Sequence, residues 1–104
     1  MEIKIVWTDF AIEKLSAIFQ YYKDVAGTEK AEQIVNQIVD RTIYLEKHPI
    51  AGVKEVLLYK RKKEYRYLVE GNYKIIYWMD ANIITIATVF DTRQNPKKIL
   101  KLNN

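Results

Sequence analysis

Apolar and polar residues alternate through most of the second half of the chain, with β-branched and aromatic side chains prominent. The alternating runs are residues 65–70, 73–79 and 83–90, and the turns between them are Gly71-Asn72 and Asp80-Ala81-Asn82. Such residues suit a pleated, half-buried surface, and Gly, Asn and Asp commonly bound strands. A glycine at the first position of a two-residue loop is typical of a type II′ hairpin. The pattern predicts an antiparallel meander, which another layer must cover on one face.

The first half of the chain has one short alternating run followed by two runs with helical spacing. Residues 2–7 alternate and predict a strand. Apolar positions recur every three or four residues over 8–26 and again over 28–47, which predicts two helices. Thr8 suits an N-cap and Gly27 a left-handed position between the helices. Pro49 must end the second helix. The two helices should form a hairpin, each turning one apolar stripe to the sheet.

The remaining segments complete an α+β domain. Residues 54–59 predict another strand, residues 97–102 a short helical turn, and Asn103-Asn104 a frayed end. The order is then strand, two helices and an antiparallel run of strands. We expect residues 1–104 to form a single domain, with the N-terminal strand in an antiparallel sheet and the helical hairpin on one face of it.

Composition excludes several kinds of site. The 104 residues include no cysteine and a single histidine, His48, so disulfides, thiolate chemistry and a two-histidine metal site are excluded. The N-terminus lacks a signal peptide's apolar core, and no apolar run is long enough to span a bilayer. We therefore expect a cytoplasmic protein without metal, cofactor or membrane association.

The formal net charge of +4 favours an acidic partner. The densest basic run, which we call the basic loop, consists of Lys60, Arg61, Lys62 and Lys63. Clustered cations displace counterions from nucleic acid, so this loop is a candidate contact for nucleic acid or for an acidic protein. The alternative is a solvated loop that protects a sheet edge from aggregation.

A two-residue loop at Gly71-Asn72 would set the two faces of the meander. One face would carry Tyr65, Tyr67, Val69, Lys74, Ile76 and Trp78, and the other Arg66, Leu68, Glu70, Tyr73, Ile75 and Tyr77. One face must meet the helices, and an aromatic face left open usually marks a partner-binding surface. We therefore take Tyr65, Tyr67 and Trp78 as candidate partner contacts. The alternative is that both faces are partly core and that the chain ends cover the second.

The order of these features resembles the RelE/ParE superfamily, the toxin halves of bacterial type II toxin–antitoxin modules. The resemblance rests on R-x-L-V-x-G-x-Y-x-I-x-Y, which begins at Arg66, and on V-F-D-x-R-Q-N-P, which begins at Val89. Trp7-Thr8 with Ala11 and Leu15 is also similar to the first strand and helix of the family. The similarity covers nearly the whole chain.

The superfamily divides by target. RelE-like members cut messenger RNA in the ribosome with basic residues on the central strands and an acid or base near the C-terminus. The residual candidates for that role are Arg66, Lys74 and Arg93, and the chain has Phe90-Asp91 where some members carry His or Tyr. The ParE branch, which this chain resembles better, poisons DNA gyrase and has no recognised catalytic residues.

The resemblance implies a ParE-like, growth-inhibiting toxin of the plasmid-stabilisation type, which binds DNA gyrase rather than cleaving a bond. Its partner would be a cognate antitoxin, acidic and partly disordered, in a hetero-oligomer, with the basic loop steering it. One alternative is a RelE-like, metal-independent mRNA endoribonuclease that acts on the ribosome. Another is a nucleic-acid-binding or structural module that uses the basic loop.

Overall fold

The computed structural model describes residues 2–102. The elements are β1 (Lys4–Trp7), α1 (Asp9–Ala26), α2 (Thr28–Ile43), β2 (Val53–Lys54), β3 (Arg66–Glu70), β4 (Tyr73–Asp80) and β5 (Ile83–Asp91). Three short 3₁₀ segments are added at Tyr44–Glu46, Val56–Leu58 and Pro96–Lys101. The sheet order is β1-β5-β4-β3-β2. The predicted α+β architecture is confirmed, and the prediction for Asn103-Asn104 lies outside the described residues.

One pairing in the sheet differs from the antiparallel prediction. β1 runs parallel to β5, with Lys4 opposite Ile83 and Trp7 opposite Ile86. Parallel neighbours need a long crossover connection. Here two helices and three other strands lie between β1 and β5 in the chain. The direction of β1 therefore depends on a long connection that its own residue pattern does not reveal. The sheet is therefore mixed.

Both helices begin close to the predicted positions, and α1 also ends where it was predicted to end. Thr8 is the N-cap of α1, and its Oγ1 accepts from the Ala11 N–H at 3.0 Å. Gly27 joins the helices with φ at +92°. α2 ends at Ile43, earlier than predicted, because the chain tightens into the 3₁₀ segment Tyr44–Glu46 ahead of Pro49. In the described part of the chain, no helix is long and apolar enough to cross a membrane.

The meander has the predicted register. Val69 lies opposite Lys74 and Tyr67 opposite Ile76, which fixes the two-residue loop at Gly71-Asn72. Between β4 and β5 the register shifts, because Ile76 pairs with Thr88 while Tyr77 pairs with Ile86. Ala87 is therefore the extra residue of a β-bulge.

The strand predicted over residues 54–59 is wrong beyond Lys54. The Glu55 carboxylate accepts from the Leu57 N–H at 3.2 Å and starts the 3₁₀ segment Val56–Leu58. This local side-chain bond competes with strand pairing, as short polar caps do. The helical turn predicted near the C-terminus is confirmed as Pro96–Lys101, where Asn95 Oδ1 accepts from the Lys97 N–H at 3.0 Å.

The two faces of the sheet are covered by different parts of the chain. Leu68, Ile75, Tyr77, Ile84 and Ile86 pack with Ala11, Ile38 and Leu45 on the helix side. Tyr65, Ile76 and Ala87 pack with Leu58, Ile99 and Leu102 on the other. We call these the helix-side core and the second core. We call residues 96–102 the C-terminal segment.

Candidate functional site

The predicted aromatic surface lies on the face that points away from the helices, as its alternation indicated. The expectation that this face is open is wrong for Tyr65, which is only 2% exposed, because Leu58 and the C-terminal segment cover it. The same burial raises the pKa of the Tyr65 hydroxyl. Tyr67 and Trp78 are half-buried. The alternative of a sheet buried on both faces therefore describes this region better, and partner contact through Tyr67 and Trp78 stays a prediction.

The basic loop is divided between internal and exposed cations. Arg61 donates to the carbonyl oxygens of Leu100, at 2.7 Å, and of Leu102, so it holds the C-terminal segment. The ammonium group of Lys63 lies 4.3 Å from the centre of the Trp78 ring. Lys60 and Lys62 are exposed. Two of the four cations thus contribute to internal packing, and the steering of an acidic partner by the basic loop stays a prediction.

The nuclease candidates on the central strands lie on opposite faces of the sheet. Arg66 shares the face of Leu68 and donates from Nη1 to the Gly52 carbonyl at 2.8 Å. Lys74 is on the other face, where its ammonium lies 3.0 Å from the Glu55 carboxylate and 4.2 Å from the centre of the Tyr67 ring. The structure does not bring Arg66 and Lys74 together.

The third candidate, Arg93, is engaged with Asp91 just beyond β5. Its Nε and Nη2 donate to the two carboxylate oxygens at 3.0 and 2.8 Å, and its backbone N–H donates at 2.9 Å. These bonds to Arg93 hold the pKa of Asp91 below its usual range, and the carboxylate raises that of the guanidinium. Arg93 is thus an ion-paired group at the end of the sheet. Nearby, burial of the Tyr73 side chain and a hydrogen bond with the Tyr22 hydroxyl raise the pKa of Tyr73.

A groove of about 700 Å³ separates α1 from the chain that follows β5. Its α1 side includes Phe10, Lys14, Ala17 and Tyr21, and the end of β5 contributes residues 88–91. The C-terminal segment forms the opposite side, with Lys98 and Lys101 among its residues. Within residues 2–102, no cluster of three or more His, Asp or Glu side chains is placed to hold a metal ion. The side chains that line the groove instead supply positive charge and aromatic surface.

The model of the ParE toxin of the type II toxin–antitoxin system, parDE, matches residues 5–96, most of the chain. The chain belongs to the ParE toxin family. Among solved structures it is similar to the chromosomal ParDE toxin–antitoxin system from P. aeruginosa, at 22% identity and a TM-score of 0.72. The match covers 86% of this chain and 95% of that one, and shows a shared fold. Comparison with curated proteins found no match.

The groove of this ParE-family toxin is the feature that sequence reasoning missed. A signal was present, because Phe10, Lys14, Ala17 and Tyr21 recur at helical spacing and form a stripe along α1. The core positions Ala11 and Leu15 lie outside that stripe, whereas Ile18 packs against the helix-side core and also lines the groove. The significance of the stripe depends on where the C-terminal segment lies, and the local pattern does not give that position.

Proposed function

We propose that this ParE-family toxin acts by binding DNA gyrase, without cleaving RNA, and that a cognate antitoxin neutralises it. The single observation that carries the proposal beyond family membership is the separation of the nuclease candidates. Arg66 and Lys74 lie on opposite faces of the sheet, and Arg93 is held by Asp91.

Cleavage of RNA at a phosphodiester requires that charged and acid–base groups converge on one phosphate. A base must take the 2′-hydroxyl proton, cations must stabilise the developing charge, and an acid must protonate the leaving oxygen. Lys74 is ion-paired with the buried Glu55 carboxylate, and only 22% of the Lys74 side chain is exposed. The arrangement therefore supports action by binding over a ribosome-dependent nuclease.

The antitoxin we expect is an acidic protein with a disordered segment that folds on the toxin, in a hetero-oligomer. Support comes from the net charge of +4 and from the ParDE system to which the fold is similar. Exposed Lys60 and Lys62 would raise the association rate by long-range attraction. Replacing both with Ala should slow association, and the loss should shrink as salt is raised.

The decisive experiment measures inhibition of gyrase and the rate of protein synthesis with the same toxin preparation. We expect purified toxin to inhibit supercoiling by gyrase, and cells expressing it to filament with damaged DNA while protein synthesis continues. Rapid arrest of protein synthesis with messages cut on the ribosome would replace the proposal with the RelE-like alternative. Binding to nucleic acid without growth inhibition would favour the third alternative, a basic binding module.

A matched pair of variants sharpens the ribosome assay. We expect no cleavage of ribosome-bound message by the wild-type protein. If cleavage occurs, Arg93→Gln should lower it by about a hundredfold, the usual cost of losing a charge-stabilising contact. Lys30→Gln, at an exposed position of α2, is the control for a general loss of positive charge. Cleavage that depends on Arg93 but not on Lys30 would contradict gyrase binding as the mode of action.

A further inference from the structure

The α1 side of the groove is a single stripe of side chains along one face of the helix. Phe10, Lys14, Ala17 and Tyr21 line the groove, and they are separated by intervals of three or four residues. Such intervals keep side chains on the same face of a helix. At a rise of about 1.5 Å per residue, the stripe extends roughly 16 Å. It places an ammonium group and one small side chain between two aromatic rings.

The opposite side of the groove supplies two further cations. Lys98 and Lys101 belong to the 3₁₀ segment Pro96–Lys101, in which residues three apart lie on the same face. Both side chains are exposed and line the groove. Lys97 is also exposed but does not line it. Positive charge therefore faces the groove from two sides.

The lysines around the groove have no acidic partner in the part of the chain that the structure describes. Within residues 2–102, no carboxylate forms an ion pair with Lys14, Lys98 or Lys101. Among the residues that line the groove, Asp91 is the one acidic side chain, and it is already paired with Arg93. A concave surface with unpaired cations attracts and concentrates anions.

The aromatic rings on the α1 side remain accessible. Phe10 is 42% exposed and Tyr21 is 54% exposed. The Lys14 ammonium lies 5.1 Å from the centre of the Phe10 ring, so cation and ring are in contact. Accessible rings beside cations are the combination that binds single-stranded nucleic acid, because bases stack on the rings while the cations hold phosphates.

The shape of the groove favours an unpaired strand over other polyanions. Its volume of about 700 Å³ lies in the range of pockets that hold small organic ligands, so nucleotides of a single strand fit and a duplex does not. An extended peptide would need open main chain along β5, and Val89 is only 3% exposed. A stacked base needs no main-chain partner, since stacking and charge supply most of the affinity.

The basic loop is the competing site for nucleic acid. Tyr59 beside it is 76% exposed, and the Lys60 ammonium lies 5.7 Å from the centre of the Tyr59 ring. However, the pocket next to this loop is smaller, at about 340 Å³, and two carboxylates, Glu55 and Glu64, line it. These carboxylates oppose the binding of phosphates. The groove beside α1 is therefore the better site.

We infer that the groove between α1 and the C-terminal segment binds a single strand of nucleic acid. Bases stack on Phe10 and Tyr21. Lys14 contacts phosphates from one side, and Lys98 and Lys101 contact them from the other. Rings and ammonium groups do not select for the 2′-hydroxyl, so the ligand is an unpaired strand of DNA or RNA. The inference goes beyond the proposed function and does not depend on it.

The test uses the full chain and fluorescein-labelled oligomers of about ten nucleotides, a length within the usual site sizes. Oligothymidylate and oligouridylate are titrated separately and followed by fluorescence anisotropy. We expect both to bind, with the logarithm of the association constant falling with that of salt concentration at a slope of about −2 for three phosphate contacts. Tighter binding of one oligomer identifies DNA or RNA as the source. A duplex should bind at least about tenfold more weakly, since its paired bases cannot stack on the rings.

Two matched pairs of variants locate the site, and circular dichroism checks that each variant is folded. Tyr21→Ala should weaken binding about tenfold by removing one stacking surface. Tyr59→Ala, exposed but outside the groove lining, should not. Lys98→Gln should reduce the salt slope by about 0.7, the contribution of one phosphate contact. Lys97→Gln should leave the slope unchanged.

Four results would overturn the inference. They are absence of binding by both oligomers, unchanged binding by folded Tyr21→Ala, a loss of binding with Tyr59→Ala instead, and duplex binding as tight as that of the single strand. Tighter binding of an acidic peptide, with the same dependence on Tyr21, would assign the groove to a protein partner and would also overturn it. Gyrase and antitoxin are absent from these titrations, so their outcome leaves the proposed function to its own test.

Discussion

The helix-side core and the second core bury the same sheet in different ways. On the helix side, Ile75 and Tyr77 are fully buried beneath two helices of 18 and 16 residues. In the second core, Ile76 is equally buried, but its cover is made from short 3₁₀ segments. Short segments have few internal hydrogen bonds of their own, so particular side chains must hold them in place. Equal burial therefore does not imply equal resistance to opening.

The polar contacts of the two cores show the same contrast. On the helix side, the Tyr77 hydroxyl accepts from the Gly52 N–H at 3.0 Å and donates to the Pro49 carbonyl at 3.1 Å. These bonds reinforce a side chain that regular elements already enclose. In the second core, Arg61 bonds the last carbonyls of the C-terminal segment, and Lys74 pairs with buried Glu55. We therefore expect the second core to open locally at a lower free energy than the whole fold.

The largest effect should come from the helix-side core. Ile75→Ala removes a fully buried side chain between sheet and helices and should lower the free energy of unfolding by about 4 kcal/mol. Equilibrium urea unfolding, followed by circular dichroism, measures this loss. Ile12→Ala, exposed on α1, is the control and should change stability little. A loss below about 1 kcal/mol for Ile75→Ala would contradict a tightly packed helix-side core.

Removal of the ammonium partner of Glu55 should have the next largest effect. The Glu55 side chain is 2% exposed, so Lys74→Ala leaves a carboxylate in the second core without its cation. We expect a loss of about 3 kcal/mol, somewhat less than for a fully buried pair because Lys74 is partly exposed. Urea unfolding at neutral pH measures it.

A double-mutant cycle with Glu55→Gln tests whether the loss comes from the pair. In the Glu55→Gln background, Lys74→Ala should cost much less, because no buried charge is left unpaired. Equal costs in the two backgrounds would show that Lys74 contributes through its packing on Tyr67 rather than through Glu55.

A smaller and more local effect is expected in the C-terminal segment. Ile99→Ala empties a buried position of the second core and should cost about 2 kcal/mol, at the low end for such a change. Amide exchange should accelerate mainly at residues 96–102 and around Tyr65, while the amides of β4 and β5 that are central to the sheet change less. Uniform acceleration over the whole sheet would show that the two cores unfold together.

The parts of the fold that could be predicted from the sequence are those that local chemistry determines. Gly71-Asn72 fixes the loop length, and the loop length fixes the pairing of Val69 with Lys74. The bulge at Ala87 has no comparable local signal. The buried position of Glu55 also has no local signal, because its ionic partner Lys74 lies 19 residues further along the chain.

The candidate site was less predictable for the same reason. Arg61 belongs to a run of four cations that is typical of nucleic-acid contacts, yet its partners are backbone carbonyls 39 and 41 residues away. Every residue has a backbone carbonyl, so the pattern of residue types does not show which carbonyl a side chain will contact. The C-terminal segment covers the second face of the sheet and forms one side of the groove beside α1. Both features therefore depend on where this segment lies. Long-range placement, rather than residue type, therefore decided which of the predicted contacts are exposed.

The smallest expected effect compares the exposed ion pair at the end of β5 with the buried pair of the second core. Hydrogen bonds from Arg93 lower the pKa of Asp91 in the folded protein, although its burial opposes this. The stability that this pair contributes should therefore be complete above the unfolded pKa of about 4 and be lost as pH falls through the lower folded value. Arg93 is 53% exposed, so solvent screening should limit the contribution to less than about 1 kcal/mol.

The variant Asp91→Asn tests this pH dependence directly. Its loss of stability should be measurable by urea unfolding at neutral pH and should shrink at acidic pH, as the pH falls through the lowered folded pKa of Asp91 and the wild-type carboxyl is protonated too. Asp40→Asn, at an exposed position of α2, controls for the general effect of removing an acidic charge from a basic protein. A deficit that is the same at both pH values would mean that Asp91 acts through the shape of the turn after β5. In that case the hydrogen bond from the Gln94 N–H to the Asp91 carbonyl, at 3.1 Å, would be the contact to examine next.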